Sequence, residues 1–224
     1  MRKLLIQILF LATPLSGLAQ TSAVPAPAYN PPDTATSETA ILSGGCFWGV
    51  QGVYEHVKGV TQAVAGYTGG AAATAQYETV STGTTGHAES VKITFNPRII
   101  SYGQLLEIYF AVTADPTELD YQGPDDGTQY RGVIWAQTPL QKQIAMRYIA
   151  QLSAAHSFPA PIVTQVDAAM PFYEAESYHQ DFLVRHPDNP YIAYNDIPKV
   201  EALQAQFPGL YRSVPVTVLK GQAP

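Results

Sequence analysis

The 224-residue chain has one cysteine, Cys46, so an intramolecular disulfide is impossible, and the sequence shows no zinc-ligand set of cysteines and histidines. Basic residues are also scarce. Twelve Lys and Arg stand against 18 Asp and Glu, a net charge of −6, which argues against nucleic acid as a partner. No internal repeat is present, which excludes solenoids and propellers. The apolar run from Leu4 to Leu15 is shorter than the roughly twenty residues of a membrane-spanning helix.

That short run, preceded by Arg2 and Lys3 and followed by Gly17-Leu18-Ala19, has the pattern of a secretory signal peptide over residues 1–19. No cysteine follows it closely, so a lipid anchor is not expected. The mature chain is expected to be exported, periplasmic or secreted, monomeric, and without stable membrane insertion after signal cleavage. Residues 20–38 are rich in Pro, Ala and Thr and read as a flexible linker. Residues 39–211 match one domain with ample apolar content for its own core, and 212–224 form a tail.

Within the domain, Glu38–Leu42 reads as a strand, and Phe47–Val57 as a helix with Val50, Val53, Tyr54 and Val57 at helical spacing. Val60–Tyr67 and Ser90–Phe95 alternate as strands. Ser101 caps a helix with Leu105, Ile108, Tyr109 and Val112 on its stripe. Arg131–Ala136 is a strand, Thr138-Pro139 opens a long helix, Ile162–Val166 is a strand, and Glu174–Arg185 is expected to be helical. This order predicts an α+β fold, a two-layer sandwich with a ferredoxin-like split βαβ core and a loop-rich C-terminal segment.

Cys46 lies in Gly44-Gly45-Cys46-Phe47-Trp48-Gly49, directly after the first strand and at the start of the first helix. A sulfur at the positive end of a helix is favoured as thiolate, the nucleophilic form; the bland alternative is an inert buried cysteine. Glu89 shares strand parity with Val91, Ile93 and Phe95, so its carboxyl is expected to face the core with a raised pKa, as a general acid needs. His87 has the same parity and leaves a Cys/His hydrolase open as a rival, with His156, His179 and His186 as further candidates. A Cys-based peroxidase and a hydrophobic binding module using Phe47 and Trp48 are others. Gln122–Tyr130 is a turn-rich loop that keeps Asp125 and Tyr130. Glu176-x-x-His179 could pair on a helix face, but without a second copy no metal is assigned.

The runs Gly45–Gly49, Gly66-Tyr67-Thr68-Gly69-Gly70, Gly83–Glu89 and Gly127-Thr128-Gln129-Tyr130-Arg131 resemble the A-type peptide methionine sulfoxide reductases. The likeness continues through Pro171-Phe172-Tyr173, Tyr178-His179-Gln180 and Asn195–Lys199, and so spans the domain. It implies that Cys46 attacks the sulfoxide sulfur while Glu89 protonates its oxygen. It also implies that Tyr77 and Tyr130 donate hydrogen bonds to that oxygen, and that Phe47 and Trp48 receive the methyl group. Asp125 would bind Cys46 through water or order its loop. The implied substrates are the S epimer of methionine sulfoxide, free or in oxidised proteins, and the implied product on the enzyme is a Cys46 sulfenic acid. Many relatives resolve that state with a second cysteine near the C-terminus, which this chain lacks. The implied reductant is therefore an external thiol: a thioredoxin-like protein, a glutaredoxin or a small thiol. Ala114 stands where relatives often have His before Asp-Pro, a departure that touches no catalytic step.

Overall fold

Apolar residues at alternate positions of three adjacent strands build the sheet from which the site hangs. The computed structural model describes residues 24–219; the expected signal peptide and the last five residues of the tail lie outside them. The strands are β1 (Glu38–Ser43), β2 (Val60–Thr68), β3 (Ala88–Phe95), a small hairpin β4 (Tyr121–Gln122) and β5 (Asp125–Asp126), β6 (Val133–Ala136), β7 (Gln165–Ala168) and β8 (Phe172–Glu174). The helices are α1 (Phe47–Glu55), α2 (Tyr77–Val80), α3 (Tyr102–Ile108), α4 (Pro139–Ala154), α5 (Phe182–Arg185) and α6 (Ile197–Gln206).

The six-stranded sheet runs β7-β6-β1-β3-β2-β8. β3 is inserted between β1 and β2 and antiparallel to both, which is the expected split βαβ arrangement with α1 as the crossover. β6 and β7 pair in parallel across α4. One face of the sheet packs Leu42, Tyr67, Val91 and Ile93 against Val50 and Val53 of α1 and the stripes of α3 and α4. A smaller cluster of Ile41, Ala88, Val133 and Trp135 covers the other face. Ser101 caps α3 through a reciprocal box with Gln104, and Thr138 caps α4 with Pro139 at its first turn.

Several segments differ from expectation. The Pro-rich stretch is not a free tether over its described part: residues 25–30 lie along α4. Tyr148 donates its hydroxyl to the Pro25 carbonyl at 2.7 Å, Gln151 bonds Ala26 and Ala28, and the Arg147 guanidinium sits over the Tyr29 ring. Glutamine and tyrosine side chains satisfy a backbone that proline keeps out of regular structure. The strand expected at Ile162–Val166 forms at Gln165–Ala168. Glu174–Arg185 is not one helix, because Glu174 closes β8 and Asp181 takes a left-handed φ of 55° that separates the single turn at Ser177–His179 from α5. The loop-rich C-terminal segment contains the ten-residue helix α6.

Candidate active site

Gly45 makes the turn that presents Cys46. Its φ of +91° suits glycine, and a Cβ there would lie 2.8 Å from Cβ of Gln122. Its N–H donates to the Tyr130 carbonyl at 3.1 Å, which ties the Gly127–Tyr130 loop to the cysteine turn. Cys46 then occupies the N-cap of α1 and is 8% exposed.

The acid arrives from β3. Glu89 is buried, as strand parity requires, and its Oε2 accepts the N–H of Phe47, the first residue of α1, at 2.9 Å. Burial, the largest cause, and the charges of Asp125 and Asp196 push its pKa up to about 8, while the Phe47 N–H opposes them. A carboxyl in that range holds a proton at neutral pH and can release it.

Cys46 does not match the thiolate expectation. The Trp48 N–H aims at the sulfur and lowers the thiol pKa, as a helix start should. Burial and the carboxylates of Glu89, Asp196 and Asp125 outweigh it and raise the thiol well above its ordinary value. In the free protein the sulfur is therefore a protonated thiol. For this sulfur to act as a nucleophile, its proton must be removed.

Tyr77 and Tyr130 both lie within the charge environment of Glu89 and Cys46. Burial, then those two neighbours with Asp125 acting on Tyr130, raises both phenols and keeps them neutral donors. Phe47, Trp48 and Tyr77 belong to one aromatic cluster around His179. The Phe47 ring lies 5.0 Å from the His179 ring, and Trp48 stacks on Phe182 at 3.9 Å with planes 11° apart. Asp125, raised by burial, receives a short hydrogen bond from the Tyr191 hydroxyl. All seven residues singled out in the sequence, Cys46, Phe47, Trp48, Tyr77, Glu89, Asp125 and Tyr130, thus meet at the start of α1.

The Glu176/His179 pair serves these side chains rather than a metal. Glu176 accepts the Tyr77 N–H at 3.0 Å and the Tyr67 hydroxyl at 2.8 Å, while His179 Nδ1 accepts the Trp48 indole N–H at 3.1 Å. That bond assigns the His179 proton to Nε2. His87 is occupied by backbone: Nδ1 accepts from Gly70 and Nε2 donates to Ala71. Among the described residues no histidine hydrogen-bonds Cys46, so the Cys/His hydrolase has no base.

Sequence reasoning missed Tyr191 and the pair Asp196/Lys199. Asp196 is fully buried against α1, where a Cβ on Gly49 would lie 2.1 Å from its Oδ1; Lys199 bridges to it at 3.3 Å. Burial raises Asp196 to about 6 against the opposing Lys199 charge. The only available signal was the Asn195–Lys199 motif, which carries no chemistry until the fold brings it to Gly49.

Known proteins with this pattern agree with the geometry. The family described as peptide methionine sulfoxide reductase matches residues 38–209. A peptide methionine sulfoxide reductase of Mesorhizobium japonicum is 61% identical over 183 residues, covering 82% of this chain and 94% of the relative. One from Synechocystis is 45% identical, covering 88% and 92%. Among solved structures, reduced Mxr1 of Saccharomyces cerevisiae aligns with a TM-score of 0.60 and 27% identity over 72% of this chain and 92% of that one. Methionine sulfoxide reductase A of Corynebacterium diphtheriae aligns with 0.58 and 31% over 69% and 77%.

Proposed function

The chain belongs to the peptide methionine sulfoxide reductase family, and on that premise we propose that it reduces the S epimer of methionine sulfoxide through a Cys46 sulfenic acid that an external thiol then reduces. The observation that carries this reading is the buried Glu89 carboxyl, fixed to the N-terminus of the Cys46 helix and protonated at neutral pH.

In this mechanism the sulfoxide oxygen points at Glu89, Tyr77 and Tyr130, and the S-methyl group enters the recess of Phe47 and Trp48. Glu89 lends its proton to the oxygen, which makes the sulfur electrophilic without leaving charge in a buried site. Cys46 attacks, the thiol proton passes to Glu89, and the oxygen ends on Cys46. The substrate sulfur gains two electrons and leaves as a thioether; Cys46 is oxidised to S–OH. Two thiol equivalents then return Cys46 to the thiol, with release of a disulfide and water. No other cysteine is available for this second half. The reductant is thus a thioredoxin-like protein, a glutaredoxin or a small thiol.

A site with fixed oxygen donors and a fixed methyl recess accepts one hand of a chiral sulfur. Purified protein supplied with dithiothreitol should consume a blocked methionine S-sulfoxide and leave the R epimer. Equal turnover of both epimers contradicts the reading. The basic and apolar pattern of residues 1–19 supports action on oxidised exported proteins. Protein recovered from the envelope or medium with its N-terminus near Gln20 is the result expected; retention in the cytoplasm with an intact N-terminus contradicts it.

A further inference from the structure

The family match ends at residue 209, yet the chain continues as an ordered segment to residue 219. That segment runs back along the end of α1. Lys58 donates its N–H to the Leu210 carbonyl, Arg212 donates to His56, and Val216 donates to Glu55 at 3.0 Å. It finishes on one side chain: the N–H groups of Val218 and Leu219 donate to Oδ1 and Oδ2 of Asp181, each at 2.8 Å.

Asp181 is a costly residue to place there. It is 1% exposed and holds the left-handed φ of 55°, a conformation that residues with a Cβ rarely adopt. Its own N–H donates to Oε1 of Gln51, a fully buried α1 residue whose amide bonds Ala63 and Gln180. Among the described residues the Glu55 carboxyl beside it makes no hydrogen bond; burial, then the neighbouring Asp181 carboxyl, raises its pKa well above the ordinary range, so that it is protonated. Two backbone donors of the C-terminal segment therefore hold the Asp181 carboxyl, one on each oxygen.

The residues that flank Asp181 hold Trp48. Phe182, next in the chain, stacks on its indole, and His179, two before, accepts its N–H. We propose that Asp181 is a positioning residue for the sulfoxide methyl recess and that residues 212–219 are the strap that fixes it. The strap sets Asp181, Asp181 sets the turn from His179 to Phe182, and that turn sets the Trp48 ring. The inference rests on the assignment of Trp48 to the methyl recess.

Three variants test it in the mature chain: truncation after Arg212, Val218→Pro, which removes one donor and keeps the strap, and Asp181→Gly, which keeps the left-handed backbone and removes the carboxyl. Each should raise KM for a blocked methionine S-sulfoxide by about tenfold while kcat stays within about twofold, because ground-state and transition-state binding of the methyl group are lost together. The rate of Cys46 alkylation by iodoacetamide should stay at the wild-type value. In a Trp48→Ala background, itself raised in KM, the truncation should add nothing, since both changes remove the same contact. Unchanged KM in all three variants, or an equal further loss in the Trp48→Ala background, overturns the strap. A Trp48→Ala variant with wild-type KM overturns the methyl recess, and the strap with it.

Discussion

Phe47 donates its backbone N–H to Oε2 of Glu89 at 2.9 Å, so the first residue of the Cys46 helix and the buried acid of β3 are held as one unit. The sulfur and the carboxyl are thereby registered to each other through backbone, without a flexible side chain between them. This is the preorganisation that a coupled proton transfer and sulfur attack require.

Replacement of Glu89 by Gln keeps a hydrogen-bond donor of similar shape but removes the transferable proton. The chemical step should slow by about 10²–10⁴-fold, the usual loss when a general acid is removed. Single-turnover release of methionine measures it, and an unchanged rate is incompatible with the role given to Glu89.

The pH dependence follows from the same group. In the proposed mechanism Glu89 acts in its protonated form, and its pKa is pushed up to about 8. The single-turnover rate should be level between about pH 6.5 and 7.5 and fall above pH 8, by about tenfold per unit where loss of the acid controls it. The Glu89→Gln variant should lack this limb. A wild-type rate that rises through pH 8 would show thiolate formation, rather than the acid, to be limiting.

Gly45→Ala introduces a Cβ at a φ of +91° and against the Gln122 side chain. The backbone strain alone should cost about 1–2 kcal/mol of stability, with overlap adding to it. Urea unfolding measures this cost. A midpoint equal to that of the parent contradicts the turn geometry that presents Cys46.

Local patterns carried the parts of the site that lie within one element. The glycine turn before Cys46 and the parity of Glu89 with Val91 are such features, and both hold in the structure. Contacts between distant segments were not legible. His179 meets Trp48 from 131 residues away, and Asp196 reaches Gly49 from the residue just before α6. The protonation of Cys46 was misjudged for the same reason: the helix start was visible in sequence, whereas three carboxylates from β3, the Asp125 loop and the C-terminal segment were not. The Glu176-x-x-His179 spacing suggested a helix because spacing is blind to the left-handed Asp181 that ends the turn. Residues 25–30 looked like a tether because proline composition reports the absence of a regular element, not the absence of partners on α4.

The sulfenic acid at Cys46 is the central claim, and mass spectrometry of the protein after one turnover tests it most directly. With a blocked methionine S-sulfoxide and no reductant, one equivalent of the thioether should appear together with a Cys46 that carries one added oxygen and reacts with a dimedone-type reagent. Full release of the thioether with Cys46 unmodified would contradict the account, because the oxygen would then have left the substrate without passing through this sulfur.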